Sequence, residues 1–139
     1  MAGGKVENKY LLDTHAFLWA TGSKADSARL GKLARETIED EGSELYVSCI
    51  SIFEITLKHR SGKLPEYTPI VNDYSKALIG IEAKELQLNW EQAHLAGNMA
   101  WEHKDPFDRM LAAQAQAEGM VLISCDKIFS GVPGLKTLW

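Results

Sequence analysis

The chain has 139 residues, a length that fits one domain with a core of its own. Its 45% hydrophobic and 24% charged residues are ordinary for a globular protein. The formal net charge of −4 excludes a surface that is basic throughout, so any contact with nucleic acid has to come from a local basic patch.

Residues 1–8 lack the apolar stretch of a signal peptide and are expected to form a flexible tail ahead of a single domain at 9–139. No segment approaches the roughly 20 apolar residues that a membrane span requires. Cys49 and Cys125 have neither zinc-site nor disulfide-framework spacing, so free thiols in the cytoplasm are expected.

Along the chain, short apolar runs alternate with segments of helical spacing. Strands are predicted at residues 10–13, 44–49, 79–86, 120–124 and 135–138. Helices are predicted at residues 15–20, 26–40, 51–59, 70–78, 90–99 and 106–118. Thr14, Asn89 and Asp105 are the predicted N-caps, and Gly119 is predicted to end the last helix. This alternation predicts an α/β fold in which helices cover both faces of a mostly parallel sheet of about five strands.

Four acidic residues lie at or near the junctions that follow or precede these strands. They are Asp13, Glu54, Asp108 and Asp126. The carboxyl ends of parallel strands share one edge, where open α/β sheets bind ligands, so the four side chains are expected to converge. Such a cluster repels itself unless protons or a cation neutralise it, and carboxylate oxygens suit Mg²⁺ or Mn²⁺. The pattern predicts a metal-dependent enzyme that acts on phosphodiesters.

Three of these junctions also have ordinary structural explanations. Asp13 and Asp126 suit turns that follow a strand. Asp105 suits a helix cap before a proline, and Asp108 suits the first turn of a helix, where the dipole favours an anion. No single one of these residues therefore establishes a site, and the prediction depends on all of them meeting at one edge.

Glu54 is harder to explain by local structure alone. Ser51 and Glu54 have the spacing of a capping box, which would satisfy the glutamate with a backbone amide. The apolar residues around Glu54 nevertheless indicate a buried helix. A carboxylate on such a helix is expected to have a metal ion or a cationic side chain beside it.

Six segments, taken in order, resemble the motifs of PIN-domain ribonucleases of the VapC toxin type, and the resemblance covers the chain from Tyr10 to Trp139. The segments are Leu11–His15, Ser48–Ile55, Lys58 with Ser61–Leu64, His103–Arg109, Leu111–Ala115 and Leu122–Asp126. The resemblance implies a three-layer α/β/α sandwich of the PIN type. The order and spacing of the segments carry the likeness, since each motif alone has little specificity.

The resemblance also implies an activity, a set of site residues and partners. Asp13, Glu54, Asp108 and Asp126 would hold one or two Mg²⁺ or Mn²⁺ ions and cleave RNA. Asp105, Ser124 and Thr14 would be accessory residues of the same pocket. The chain would form a homodimer and bind a small antitoxin, with an arginine of the antitoxin entering the acidic groove.

An acidic pocket does not attract RNA by itself, so basic residues near it are candidate contacts for phosphates. They are Lys58, Arg60, Lys63 and Arg109. The alternative for the first three is a solvated helix end, where positive charge suits the dipole. The four histidines lack metal-ligand spacing and are expected to be structural or close to substrate. They are His15, His59, His94 and His103.

Other enzyme classes fit the acids less well. A haloacid-dehalogenase-like phosphatase needs a second aspartate two residues after Asp13, where this chain has His15. A receiver domain needs a different order of acids. Two alternatives stay open, namely a PIN-fold module that binds RNA or protein without cutting, and a nuclease of housekeeping RNA processing.

Overall fold

The computed structural model describes residues 8–139, so the tail expected at 1–8 lies outside the described residues except for Asn8. The side-chain amide of Asn8 donates a hydrogen bond to the carbonyl of Gly42 at 2.9 Å. The sheet consists of β1 Lys9–Leu12, β2 Glu44–Ser48, β3 Ala83–Leu86, β4 Val121–Ile123 and β5 Thr137–Leu138. Their order across the sheet is β3-β2-β1-β4-β5, and every neighbouring pair is parallel, which confirms the predicted sheet.

Eight α-helices and two short 3₁₀ helices connect these strands within residues 8–139. The α-helices are α1 Thr14–Thr21, α2 Lys24–Ser27, α3 Lys32–Glu39, α4 Cys49–Arg60, α5 Thr68–Asn72, α6 Tyr74–Gly80, α7 Trp90–Asn98 and α8 Pro106–Glu118. The 3₁₀ helices are Pro65–Tyr67 and Lys127–Gly131. None of the helices in this part of the chain is long and apolar enough to cross a bilayer.

The helices form one layer on each face of the sheet. Neighbouring residues of a strand point to opposite faces, so Leu11 and Leu12 belong to different cores. Leu12 packs with Phe17 of α1 and Ile55 of α4, whereas Leu11 packs with Leu111 of α8. All five side chains are almost fully buried. The three-layer α/β/α sandwich is therefore confirmed.

Two predicted helices are each broken in two. The helix predicted at 26–40 is interrupted before α3, and in the first turn of α3 the amide of Ala34 donates to the carbonyl of Trp139 at 2.8 Å. A Cβ atom on Gly31 would lie only 2.4 Å from that same carbonyl oxygen, so the close approach of Trp139 requires a glycine at this position. The helix predicted at 70–78 is interrupted at Asp73, whose side chain caps α6 by accepting from the amide of Lys76. Helical spacing continues across both breaks, which is why the sequence pattern missed them.

Two of the predicted helix caps are also wrong by a few residues. Asp13 caps α1, which therefore starts at Thr14. Ser48 caps α4, so Ser51 lies inside the first turn and the proposed capping box with Glu54 does not form. Caps at Asn89 and Asp105 and the left-handed Gly119 are confirmed. The hydroxyl of Thr14 instead donates a hydrogen bond to the hydroxyl of Ser51 at 3.1 Å.

Candidate active site

A pocket of about 330 Å³ opens at the carboxyl edge of the sheet. Its lining includes Asp13, Glu54, Asp105, Asp108 and Asp126, together with Thr14, His15, Lys58, Leu111 and Cys125. The topology explains this convergence. Parallel strands end at the same edge, and α4 and α8 run back across the sheet, so their first turns lie at that edge too. All four acids singled out in the sequence, and Asp105, thus meet in one pocket.

Asp13 is the most deeply placed of these acids, with only 8% of its surface exposed. Its amide continues the strand ladder by donating to the carbonyl of Ile123 at 3.1 Å, and its Oδ1 accepts from the amide of Ala16 at 2.8 Å. Burial raises the pKa of Asp13, while the side chain of Ser124 and the amide of Ala16 act in the opposite direction. The carboxyl is held rigidly in a place where its negative charge is poorly solvated.

Glu54 also lines the pocket, one turn into α4. Its Oε2 accepts from Lys58 Nζ at 2.6 Å, and its Oε1 accepts from Thr14 Oγ1 at 2.7 Å. The expectation that this helix is buried was wrong, since Phe53 is 59% and Leu57 50% exposed. The expected cationic partner exists, and it is Lys58, which lies one helical turn further along the same helix.

Asp105, Asp108 and His103 form the third part of the site. Asp105 caps α8 through Oδ1, which accepts from the amides of Phe107 at 2.9 Å and Asp108 at 3.2 Å. The Oδ2 of Asp108 lies 2.7 Å from Nε2 of His103. The pKa of Asp108 is raised, first by burial and then by the nearby charge of Asp105, and His103 opposes the shift. His103, Asp105 and Asp108 each offer a ligand atom within 4.8 Å of the other two.

His103 was expected to be structural or close to substrate, but its contact with Asp108 was not predicted from spacing. A histidine five residues before Asp108 does not share a helical face with it, and only the turn from the loop into α8 brings the two side chains together. The available signal was the short segment from His103 to Asp108, which places an imidazole and two carboxylates around a proline helix start. Asp105 was already a predicted cap, but nothing in the spacing showed that His103 would contact the first turn of α8.

The structure gives the guanidinium of Arg109 a different role from the RNA contact expected from the sequence. Arg109 donates hydrogen bonds to five backbone carbonyls of α7 and of the loop before α8. The acceptors are Ala96, Gly97, Met99, Trp101 and His103, at 2.6–3.4 Å. Arg109 therefore fixes the loop that carries His103.

The remaining predicted residues lie at the edge of the pocket or outside it. Asp126 is exposed, lines the pocket and caps the 3₁₀ helix that follows, with Oδ1 accepting from the amide of Ile128 at 3.0 Å. Ser124 is buried behind it and accepts from the amide of Asp126 at 3.0 Å. Arg60 and Lys63 are exposed, and Arg60 lies roughly 9 Å along α4 from Glu54 at the usual rise per residue.

The donor chemistry of the pocket fits a hard divalent cation. Five carboxylates supply oxygen ligands, the type that Mg²⁺ and Mn²⁺ prefer. In residues 8–139, Lys58 is the only lysine or arginine in the lining. Burial also disfavours the charged forms of Asp13 and Asp108, so an added positive charge is favourable there.

Comparison with known proteins places this architecture in a family. The family model for the PIN domain matches residues 10–135. No curated protein sequence matches the chain. Among solved structures, the chain is similar to VapBC2 from Rickettsia felis bound to a DNA fragment from its promoter, with a TM-score of 0.64 and 16% identity over 94% of this chain and 98% of that one.

Two other solved structures are similar to a comparable extent. DNA-bound VapBC from Salmonella typhimurium has a TM-score of 0.64 and 18% identity, covering 94% of this chain and 96% of that one. A toxin–antitoxin complex from Klebsiella pneumoniae has a TM-score of 0.57 and 16% identity with the same coverage. At these identities the likeness concerns the fold.

Proposed function

Because the chain belongs to the PIN-domain family, we propose that it is a nuclease that hydrolyses RNA phosphodiester bonds with one or two Mg²⁺ or Mn²⁺ ions. The observation that carries this proposal is the meeting of Asp13, Glu54, Asp108 and Asp126 in one pocket at the carboxyl edge of the sheet. Each acid alone has a structural explanation as a cap or ion-pair partner. Their meeting in one pocket has no structural explanation that is equally simple, because it concentrates negative charges where they are partly desolvated.

In this proposal Asp13 and Asp126 are the closest metal ligands, because they follow the adjacent central strands β1 and β4. A bound divalent cation supplies positive charge beside the phosphodiester and lowers the pKa of the attacking water. Asp105 is an accessory acid whose main structural task is to cap α8. Thr14 and Ser124 hold Glu54 and the Asp126 amide, respectively, and so position the acids.

We assign the general base to Asp108 rather than Glu54. Both carboxylate oxygens of Glu54 already accept hydrogen bonds, from Thr14 and from Lys58. Within the described residues, the Asp108 carboxylate uses only Oδ2, on His103, which leaves Oδ1 for a water molecule.

Binding of RNA requires positive charge near this acidic pocket. Lys58 lies in the pocket wall, where it can meet a phosphate as well as Glu54. Arg60 and Lys63 are exposed at and beyond the end of α4, and we propose that they contact the RNA backbone further from the cleaved bond. Arg109 is excluded from this role in the proposal, since its guanidinium binds the loop backbone.

Cleavage of RNA by the purified protein and by Asp13→Asn tests the activity. Asparagine is a good helix cap, so this substitution keeps the start of α1 while removing the charge. The exposed Glu36→Gln on α3 serves as a matched control for the loss of one acid. We expect cleavage by the parent and by Glu36→Gln in Mg²⁺ or Mn²⁺ and none by Asp13→Asn. Absence of cleavage by the parent, or unchanged cleavage by Asp13→Asn, would contradict the proposal.

We further propose that the chain acts in the cytoplasm as the toxin of a toxin–antitoxin pair, as a homodimer bound by a small antitoxin. The support is that the three similar structures are described as VapBC or toxin–antitoxin complexes. Co-expression with the product of a neighbouring small reading frame, followed by size-exclusion chromatography with light scattering, tests the complex. A complex that suppresses RNA cleavage supports the toxin role. Cleavage without growth arrest or any such partner would favour housekeeping RNA processing.

A further inference from the structure

We infer that His103, Asp105 and Asp108 together form a cation site with one nitrogen and two oxygen donors, which selects Mn²⁺, Co²⁺ or Zn²⁺ over Mg²⁺. The inference rests on the proposed function, since Asp108 is shared with the four-acid pocket. It goes beyond that function in adding a histidine ligand and in naming the class of ion.

The three side chains already have the spacing that ligands of one ion need. A ring nitrogen of His103 and a carboxylate oxygen from each aspartate lie within 4.8 Å of one another. Ligand bonds of about 2.0–2.2 Å place the ligands of one ion no more than about 4.4 Å apart, so only a small contraction separates this arrangement from coordination. Nε2 of His103 and Oδ2 of Asp108 are 2.7 Å apart, and an ion would enter between them.

Contacts with the backbone fix His103 and Asp105 without using their proposed ligand atoms. The carbonyl of His103 accepts from Arg109 at 2.9 Å, and its ring lies 4.9 Å from that of Trp101. Oδ1 of Asp105 is occupied by two helix amides, which leaves Oδ2 for a ligand. The side chains of His103 and Asp108 are 26% and 25% exposed, so an ion can reach them from solvent.

The chemistry of the donors determines which ion is favoured. Mg²⁺ takes oxygen ligands and gives up its water reluctantly, so an imidazole adds little to its binding. Imidazole nitrogen instead suits the transition metals, whose affinity for N/O sites rises from Mn²⁺ through Co²⁺. When Nε2 binds an ion, the ring proton resides on Nδ1, which is the form of histidine that ligates metals. The Asp108 side of the pocket thus differs from an all-carboxylate site.

A simpler role for His103 would be to orient Asp108 through a hydrogen bond, without binding an ion. His103→Gln distinguishes the two roles, because it removes the imidazole nitrogen but keeps the backbone carbonyl on which Arg109 depends. His94→Gln is the matched control, since His94 is an exposed histidine on α7 outside the pocket lining.

Pulsed electron paramagnetic resonance of the protein loaded with Mn²⁺ gives a direct readout that does not depend on cleavage. We expect a ¹⁴N coupling to Mn²⁺ in the parent and in His94→Gln, and its loss in His103→Gln. Calorimetry should show Mn²⁺ affinity falling by about 10-fold or more in His103→Gln, while Mg²⁺ affinity changes by less than about 2-fold.

Mn²⁺ bound without a nitrogen coupling in the parent would overturn the inference, as would a coupling that persists in His103→Gln. Either result leaves the nuclease proposal untouched if the parent cleaves RNA. Conversely, a nitrogen coupling in a protein that does not cleave RNA supports the histidine site and contradicts the nuclease.

Discussion

The two walls of the acidic pocket neutralise their charge in different ways. The Glu54 wall, made of Thr14, Glu54 and Lys58, contains its own cation at 2.6 Å. The Asp108 wall, made of Asp105 and Asp108, has two carboxylates, and among the described residues only His103, which contacts Asp108 from outside the pocket lining, lies within ion-pair distance. The demand for an added cation is therefore concentrated at the Asp108 wall and at the neighbouring, buried Asp13.

The walls also differ in how they are built. In the Glu54 wall, the pairing of Glu54 with Lys58 depends on the i,i+4 spacing of one regular helix. The Asp108 wall depends on a loop between α7 and α8 that Arg109 holds by its backbone carbonyls. Substitutions in the Glu54 wall and substitutions in the Asp108 wall should therefore have effects of different size.

The largest effect is expected from neutralising Asp108. Asp108→Asn should lower the rate of RNA cleavage by at least about 100-fold, whereas Glu54→Gln should lower it by about 10-fold, because Lys58 already compensates the charge of Glu54. Single-turnover cleavage at saturating Mn²⁺ measures both rates. A larger loss for Glu54→Gln than for Asp108→Asn would contradict the difference between the walls.

The next effect concerns stability. Arg109→Gln removes charged donors from several loop carbonyls and should lower the free energy of unfolding by about 3 kcal/mol. Arg109→Lys should recover only part of this, because an ammonium lacks the planar fork of donors. Urea unfolding measures the change, with the exposed Lys63→Gln as control. Full stability combined with weakened RNA binding would instead support the RNA contact expected from the sequence.

A smaller effect is expected in the dependence of stability on pH without metal. Burial raises the pKa of Asp108 above its ordinary 3.8, so the folded protein holds this proton more tightly than the unfolded chain. This contribution to the free energy of unfolding therefore falls as the pH rises from 3.8 through the folded pKa. We expect the stability of Asp108→Asn relative to the parent to increase over that window, measured by urea unfolding in EDTA. A relative stability that decreases with pH would contradict the raised pKa.

The smallest effect belongs to the ion pair in the Glu54 wall. Lys58→Gln frees Glu54 from a partly exposed i,i+4 partner and should raise the affinity for Mn²⁺ by about 2-fold. Calorimetric titration with Mn²⁺ measures the change in affinity. Lys63→Gln, which removes the same charge outside the pocket, is again the control. A decrease in Mn²⁺ affinity would mean that Lys58 supports the metal site instead of competing with it.

Much of the fold and the meeting of the acids could be predicted because they depend on local pattern and on topology. Parallel strands bring Asp13 and Asp126 to one edge whatever the details of packing. The proline and glycine that bound α8 likewise gave its position and that of Asp105. These features follow from backbone geometry, which a single sequence encodes locally.

The rest depended on contacts between distant segments. The break before α3 results from Trp139, more than 100 residues away in sequence, and helical spacing gives no sign of it. The direction in which the side chains of Lys58 and Arg109 point decides their partners. The sequence alone therefore could not show whether these residues contact RNA or other parts of the protein. The contact of His103 with Asp108 was missed for the same reason.

The most direct measurement compares metal binding and RNA cleavage in the same samples. Mn²⁺ is titrated into the metal-free protein, and bound ion and the rate of cleavage are followed together. If the acidic pocket is the cation site that serves cleavage, the rate rises in proportion to the bound Mn²⁺, and Asp13→Asn abolishes cleavage and weakens Mn²⁺ binding. Undiminished cleavage in EDTA, or saturation of the pocket with Mn²⁺ and no cleavage of RNA, would contradict it.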